Sequence, residues 1–416
     1  MGVVARDTTT DERLENAQVT DRAAVHGYVK RVCFKTGPPA LVGAEVEWLA
    51  GYAEDPTRPV SLPQLRALLG GIPPPPHGST ITFEPGGQLE LSSAPAADAS
   101  ACWRALAADI EHVRRPLEEH GMVLVPSGID PHRLPRRQLD TPRYRAMAGY
   151  FGRLGGLGGL GSQMMNSTAA VQVNLPLGTD ASDAVRRWRL LHALGPVMVA
   201  AFANSPVHAG RATGWKSARQ RVWMNLEPRR TGPPAGVDPV AGWAEYALAA
   251  PLMLWRRSDS DWTAPAGLRF AEWVDGAVEV PPDPPTVADL DCHLSTLFPP
   301  VRPRGWYEVR YLDAQHPRFW PVPMAVLGAL LDEPEAGARA AGLATGAGTW
   351  TAAAREGLGL PRLAEAARGC FRVALDALRS DGVDPALVDL VAEFAERYVD
   401  RGRCPADEAP VPLEEP

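Results

Sequence analysis

The chain has 416 residues, of which 45% are hydrophobic and 22% are charged, the balance of a globular protein that can bury a substantial core. Its net charge of -7 argues against a nucleic-acid binder that works by broad phosphate neutralisation. The five cysteines form no CxxC pair, so we expect free thiols and no zinc site. Because neither a signal peptide nor an apolar run of roughly 18–20 residues is visible, we predict a cytoplasmic monomer or homodimer without nucleic-acid or membrane partners.

The first part of the chain mixes short strands with helices. Residues 1–19 are polar and are predicted to be frayed, 20–408 to form a single catalytic domain, and 409–416 to be a C-terminal tail. Apolar periodicity and turn residues predict the elements in this part. They are helices at 21–32, 61–69 and 98–120, and strands at 41–49, 80–83, 88–91 and 122–126.

The second part opens on the glycine-rich stretch 153–161, which is interpreted either as a linker or as a loop that covers a ligand. The strands of the whole chain do not alternate regularly with helices, as they would in a doubly wound sheet, and this favours an α+β fold: an antiparallel sheet with helices packed outside it. The pattern then predicts strands at 168–175 and 307–312, helices at 184–203 and 286–297, a loop at 227–241, and nearly continuous helix from 321 to 399.

Pairs of acidic residues interrupt two apolar strand segments. Glu45 and Glu47 lie two apart on a strand and therefore project from one face. Glu84 and Glu90 flank a Pro-Gly-Gly turn and can lie across from each other in a hairpin. Each pair alone is also compatible with an ordinary solvated strand face or a hairpin with polar ends.

A third acidic residue follows late in the chain. Glu308 and Arg310 share a strand face, either as a structural salt bridge or as a metal ligand beside an anion-binding arginine. Acids from three separate segments suit several hard cations such as Mg²⁺, which take oxygen ligands and bridge the phosphates of ATP. These residues alone do not name the reaction.

Polar and basic side chains supply candidate substrate contacts. Gln172 and Asn174 share one strand face and can hydrogen-bond an amino acid or a metal-bound water, or can form a satisfied polar face. Arg219 and Arg221 can grip a carboxylate or phosphate bidentately, or can belong to a basic surface turn. The stretch GRATGWKS at 210–217 has the wrong glycine spacing for a phosphate-binding P-loop.

Together these segments resemble the glutamate–cysteine ligase family, in particular the branch of plant enzymes and of the actinobacterial enzyme of ergothioneine biosynthesis. The resemblance spans roughly 40 to 408, and EPGGQLELS and YEVRYLD are its most specific phrases. The matching stretches are GAEVEW at 43–48, GSTITFEPGGQLELSSAP at 78–95, RYRAM at 143–147, VQVNL at 171–175, ANSP at 203–206, SARQRVW at 217–223, LFPPVRPRGWYEVRYLD at 297–313 and CPADE at 404–408.

The resemblance implies a glutamine-synthetase-like catalytic fold, in which a curved antiparallel sheet forms a half-barrel surrounded by helices. It implies an ATP-dependent acid–amino-acid ligase that makes γ-glutamylcysteine from glutamate and cysteine through γ-glutamyl phosphate, as a first step toward ergothioneine. The alternatives are a related carboxylate–amine ligase with another amine acceptor, or supply of γ-glutamylcysteine to glutathione.

The resemblance also implies roles for single residues. Gln172, Asn174 and Arg219 are expected to recognise glutamate, with Arg221 beside them as a further substrate contact. Arg310 and Arg219 are the expected catalytic residues, and Arg310 is placed near the γ-carboxylate or the transferred phosphate. Magnesium is expected on Glu45, Glu47, Glu84, Glu90 and Glu308.

Overall fold

The computed structural model describes residues 16–154, 158–256, 260–277 and 283–408. In this part of the chain seven strands form one sheet in the order β2-β3-β1-β5-β9-β8, and β4 pairs with the far end of β1. Every pair in the sheet is antiparallel, as predicted. The strands are β1 (Gly43–Tyr52), β2 (Thr80–Phe83), β3 (Leu89–Ser92), β4 (Met122–Val125), β5 (Ala170–Pro176), β8 (Val301–Pro303) and β9 (Trp306–Asp313), and a separate two-stranded pair is formed by β6 (Val207–His208) and β7 (Arg211–Ala212).

Helices surround the sheet and make up nearly all of the chain after β9. Residues 29–33 and 395–399 extend α1 and α16 as π-helical turns, and 357–359 and 405–407 are short 3₁₀ turns. The α-helices are α1 (Arg22–Tyr28), α2 (Leu62–Gly70), α3 (Ala99–Glu119), α4 (Pro142–Arg153), α5 (Gly158–Ser167), α6 (Ala181–Ala201), α7 (Ala218–Leu226), α8 (Pro228–Thr231), α9 (Pro239–Ala249), α10 (Phe270–Val274), α11 (Val287–Leu294), α12 (Pro321–Asp332), α13 (Pro334–Ala344), α14 (Trp350–Glu356), α15 (Pro361–Ser380) and α16 (Pro385–Phe394).

Strand β9 has one face toward α6 and one face away from it. The Tyr307 hydroxyl donates to the Ala184 carbonyl at 2.7 Å, and the Tyr311 hydroxyl donates to the Leu191 carbonyl at 3.1 Å. Because successive side chains on a strand point to opposite faces, Glu308 and Arg310 lie on the face away from α6. The core between sheet and helices thus leaves the charged face of β9 available for a site.

The central pair β5–β9 contains a β-bulge. Val171 pairs with Leu312, whereas Val173 pairs with Val309, so Gln172 lies opposite two residues of β9 instead of one. Those two residues are Arg310 and Tyr311. Bulges of this kind re-aim a side chain and are common next to functional sites.

Some predicted boundaries were wrong for reasons visible in the packing. Strand β1 runs on to Tyr52 because β4 pairs with its last four residues, beyond the predicted end at 49. The predicted frayed segment ends sooner, since Gln18 forms a bridge with Thr286 and Val19 is buried; residues 1–15 lie outside the described part of the chain. The predicted tail 409–416 lies outside it as well.

Two predicted loops contain helix. The glycine-rich stretch 153–161 contains the last residue of α4 and the first residues of α5, which begins at Gly158. Residues 155–157 are outside the described ranges. Gly161 packs against Phe151, where an added Cβ would come within 2.4 Å of the Phe151 Cβ, so close helix packing explains this glycine. The predicted loop 227–241 holds α8 and the start of α9, both of which begin with proline at a position that helices tolerate.

Within the described ranges, no helix is both long enough and apolar enough to span a lipid bilayer.

Candidate active site

The register of the sheet gathers the predicted acids on neighbouring strands. Glu47 of β1 lies opposite Glu90 of β3, and Glu45 lies opposite Gln172 of β5. Asn174 of β5 in turn lies opposite Glu308 of β9. The sequence-predicted residues of three distant segments therefore share one region, which we call the carboxylate cluster: Glu45, Glu47, Glu84, Glu90 and Glu308.

Three carboxylates of the cluster are partly buried and have raised pKa values. Burial, with repulsion from Glu308 and Glu90, raises the pKa of Glu45 to about 7. Burial and repulsion from Glu90 raise the pKa of Glu84 to about 7 as well. The pKa of Glu47 is also raised, by burial and by the charges of Glu84 and Glu90. Like charges that are withdrawn from water and unpaired are costly, so this part of the cluster favours a bound cation.

Glu90 is held by hydroxyl groups instead. The hydroxyls of Thr82 and Ser92 donate to its Oε1 at 2.6 and 3.2 Å. No described lysine, arginine or histidine makes an ion pair with Glu45, Glu47, Glu84 or Glu90. Nor do any three described His, Cys, Asp or Glu side chains lie close enough together to hold a metal ion as they stand, so ligation would require some of the carboxylates to turn inward.

Glu308 is the exception in the cluster, because three arginines surround it. It is fully buried and accepts from Arg302 Nε at 2.6 Å and Nη2 at 3.0 Å, a bidentate pair. Arg310 donates to it at 2.9 Å and Arg304 at 3.1 Å. Burial acts to raise the pKa of Glu308, but the attraction of Arg302 and Arg310 outweighs it and holds that pKa well below its usual value.

The side-chain amides of Gln172 and Asn174 link residues near Glu308 to the carboxylates of β1. Gln172 donates to Glu47 Oε1 at 2.9 Å and accepts from Arg310 Nη1 at 2.5 Å. Asn174 donates to Glu45 Oε1 at 3.1 Å and accepts from the Trp306 indole at 3.0 Å. Both amides therefore have protein partners at each end, and the arrangement fixes the orientation of the two β1 carboxylates.

Arg219 approaches the cluster from α7. Ser217 caps this helix through its hydroxyl, which accepts from Gln220 N at 3.1 Å. The Arg219 side chain donates to the Arg310 carbonyl at 2.9 Å, but its Nε and Nη1 are buried and have no hydrogen-bond partner. Burial lowers the pKa of Arg219, while the charges of Asp313 and Glu47 act to raise it.

Asp313 anchors the base of this helix. Its carboxylate accepts from the Ser205 and Ser217 hydroxyls at 2.7 and 2.8 Å and from the Asn204 backbone N–H at 2.8 Å. Because Ser217 is the cap of α7, the network ties the start of the helix to the end of β9. The position of Arg219 relative to Arg310 is set by these contacts.

The structure does not bring Arg221 to the carboxylate cluster. Arg219 and Arg221 both lie on the helix Ala218–Leu226, in which residues two apart point in nearly opposite directions. Arg219 accordingly interacts with Glu47, whereas the charge of Arg221 acts on His208 of the β6–β7 pair. The sequence predicts that Arg219 and Arg221 contact substrate side by side, but helical geometry separates them.

Sequence reasoning missed Arg302, Arg304 and Trp223. Arg302 and Arg304 are two residues apart just before β9, so the strand rule that paired Glu308 with Arg310 would also have placed them on one face. Trp223 had no such signal. The Arg219 and Arg310 guanidinium carbons lie 5.6 and 5.9 Å from its ring centroid, a contact that only the tertiary structure creates.

Comparison with known proteins adds independent information. The profile described as glutamate–cysteine ligase family 2 matches residues 41–410. The chain is 41% identical to the glutamate–cysteine ligase EgtA of Mycobacterium tuberculosis over 97% of this chain and 94% of that protein. It is 29% identical to the chloroplastic glutamate–cysteine ligase of Nicotiana tabacum over 80% of this chain and 67% of that one.

A solved structure shares the fold at low sequence identity. The bifunctional glutathione synthetase of Pasteurella multocida matches with a TM-score of 0.52 and 15% identity, covering 93% of this chain and 51% of that one. Fold, acid-rich sheet and sequence relatives together define an enzyme of the ligase class. Within that class, the chain belongs to glutamate–cysteine ligase family 2.

Proposed function

We propose that this protein joins the side-chain carboxylate of glutamate to the amine of cysteine at the expense of ATP. In the first step a γ-carboxylate oxygen attacks the γ-phosphorus of ATP, ADP leaves, and an acyl phosphate forms. In the second step the cysteine amine attacks the acyl carbon, loses a proton, and releases phosphate. The product is γ-glutamylcysteine.

The observation that carries this proposal is that carboxylates and arginines lie near one another on one face of the sheet. Uncompensated carboxylates on β1 and the β2–β3 hairpin stand beside arginines on β9 and α7. Phosphoryl transfer to a carboxylate needs both, because an anion must approach an anion and the developing charge must be neutralised.

The acids fit Mg²⁺ as partner. Mg²⁺ prefers carboxylate oxygens together with phosphates and water, and when bound with ATP it neutralises charge on the transferred group. Glu45, Glu47 and Glu84 would hold it, since burial and mutual repulsion raise their pKa values and a bound cation would offset both effects. Glu90 is placed to complete the set, and Glu308 would join it by giving up one arginine contact.

The chain's own residues orient the reactants. Arg219 has buried, unpartnered N–H groups that suit the main-chain carboxylate of glutamate. Arg310, held by Glu308 and Gln172, would bind the γ-carboxylate or the transferred phosphate. Gln172 and Asn174 keep the β1 carboxylates oriented, so that little rearrangement is needed during reaction.

The same proposal includes two finer points. The antiparallel sheet with helices outside it suits a glutamine-synthetase-like half-barrel whose concave face carries the carboxylate cluster. The 41% identity to EgtA of Mycobacterium tuberculosis favours ergothioneine biosynthesis as the use of the product. Loss of ergothioneine from a deletion strain, with other thiols retained, would support that use.

The direct test is ADP release with glutamate, cysteine, ATP and Mg²⁺. We expect release that depends on all four components, and a loss of about 100-fold or more in Glu47→Gln. Glu54→Gln is the matched control, because Glu54 is exposed on the turn after β1. Glutamate-independent ADP release by the unmodified protein would overturn the proposal, and activity with other amines but not cysteine would redefine the acceptor.

A further inference from the structure

Trp223 stands out among the aromatic residues around the cluster. Its indole Nε1 is buried without a hydrogen-bond partner, as are Nε and Nη1 of Arg219. Arg219 itself is 3% exposed. Buried donors are nearly always paired, and leaving three unpaired in one place is costly, so a shared acceptor is expected there.

Trp223 also borders an open space. A cavity of about 270 Å³ lies against Trp223 and is bounded by Arg310, Phe298, Pro300 and Trp350. The Trp223 ring packs edge-on against Phe298 at 5.6 Å between centroids, which fixes its orientation. Arg310 gives the cavity wall positive charge, and its guanidinium carbon lies 5.9 Å from the Trp223 ring centroid. The guanidinium carbon of Arg219 lies 5.6 Å from the same ring centroid.

We propose that Trp223 is a substrate-binding residue whose indole N–H, together with the free N–H groups of Arg219, holds the main-chain carboxylate of the glutamate substrate. The inference rests on the proposed function and adds to it a residue and a contact. A carboxylate offers two oxygens with about four acceptor positions, which is enough for the three unpaired donors. The rigid indole would also fix how far that carboxylate lies from Arg310.

The test is Trp223→Phe, which removes the N–H and keeps a ring against Phe298. We expect the KM for glutamate to rise about 10-fold or more, with the KM values for ATP and cysteine nearly unchanged, because a hydrogen bond to a charged group is lost. Calorimetric titration with glutamate alone should show the same weakening. Trp243→Phe is the matched control, since Trp243 is buried on α9 against Tyr246, away from the cluster.

Several outcomes separate this inference from the proposed function. Absence of glutamate-dependent ADP release in the unmodified protein would remove both. An active parent with an unchanged glutamate KM in Trp223→Phe would remove the Trp223 contact alone, and a rise confined to the cysteine KM would overturn the assignment to glutamate. Trp223→His, which retains a ring N–H, should recover part of the affinity, and it provides the comparison with the parent if the phenylalanine variant does not fold.

Discussion

Glu308 and Glu47 are the same residue type in one sheet, but their surroundings differ. Glu308 is buried among three arginines, whereas Glu47 makes no ion pair, and the repulsion of Glu84 and Glu90 is only partly offset by Arg219 and Arg310. Removing the cationic partner of a buried carboxylate destabilises the folded protein strongly, because it leaves an uncompensated buried charge. Removal of a charged neighbour of Glu308 should therefore destabilise the protein, whereas removal of a neighbouring carboxylate of Glu47 should relieve repulsion.

Arg302→Ala should destabilise the protein strongly. The substitution removes the bidentate partner of Glu308 and leaves a buried charge, which costs about 3–5 kcal/mol. Arg304→Ala is the matched comparison, because its side chain is 48% exposed and its pair with Glu308 should contribute less than about 1 kcal/mol. Urea denaturation measures both, and equal losses would show that burial does not set the cost.

The metal-free protein should lose stability as the pH rises. The folded-state pKa values of Glu45 and Glu84 are about 7, above the usual 4.5, so folding favours their protonated forms. That contribution is complete below about pH 4.5 and is lost as the pH rises through about 7, by roughly 1–3 kcal/mol.

Melting curves at pH 5 to 8, with a chelator or with Mg²⁺, measure this dependence. In Glu45→Gln the slope between pH 5 and 8 should become smaller, since one titrating group is gone. Added Mg²⁺ should restore stability mainly at the higher pH. A melting temperature that rises steadily from pH 5 to 8 in the chelated protein would contradict the expectation.

At the scale of elements, the β2–β3 hairpin shows what local sequence can specify. Its turn was predicted from Pro-Gly-Gly, and β2 forms at the predicted residues. Gly87 has a φ of +88°, which explains one glycine. Glycine is needed at position 86 for a different reason, since a Cβ there would lie 2.2 Å from the Asn166 carbonyl oxygen.

Gly86→Ala should therefore be costly. The added methyl would have to displace backbone of α5, and overpacking of this kind costs about 1–3 kcal/mol. The turn also positions Glu84, so ADP release should fall with stability. Gly70→Ala is the control, because no atom lies within 4 Å of its added Cβ. Thermal melting and the ADP assay check both variants, and a Gly86→Ala protein as stable as the parent would contradict this reading of the turn.

Elements fixed by distant partners were harder to predict. Nothing local to β1 specifies that it continues to Tyr52, because the reason is its pairing with β4. Helix α7 was not predicted, and a basic surface turn was one alternative for its residues; its cap, Ser217, is held by Asp313 from β9. Element types were therefore mostly predictable, whereas ends set by tertiary contacts were not.

For the whole molecule, the sequence predicted which acids share a region but not their charge states. Strand alternation was enough to place Glu45 with Glu47 and Glu308 with Arg310. The arginine environment of Glu308 and the separation of Arg221 from Arg219 depend on β8 and α7, which the sequence pattern did not resolve. The family resemblance supplied the reaction, which composition and spacing alone did not.

The last described residues, near 407, form an ion pair with the residue that precedes the cap of α7. Lys216 donates to Asp407 at 2.5 Å, and Asp407 also accepts from the Cys404 backbone N–H at 2.8 Å. Asp407→Ala should lower stability by about 1–2 kcal/mol, since it removes a half-buried ion pair and a cap. Because Lys216 precedes the cap of α7, the glutamate KM should rise as well.

Asp400→Ala is the comparison for this change, as Asp400 is exposed. Denaturation curves and glutamate kinetics measure the two effects separately. A loss of stability without any change in the glutamate KM would show that the Lys216–Asp407 ion pair does not influence the position of Arg219.

The two tyrosine hydroxyls that join β9 to the carbonyls of α6 have a mechanical consequence. They link β9 to α6 at Tyr307 and at Tyr311. The strand and the helix should therefore move together. A closing movement around the reactants is therefore expected from the β2–β3 hairpin and not from β9 or α7, because α7 is itself tied to the end of β9 through Ser217 and Asp313. Crosslinking β9 to α6 should leave turnover intact, whereas immobilising the hairpin should slow it.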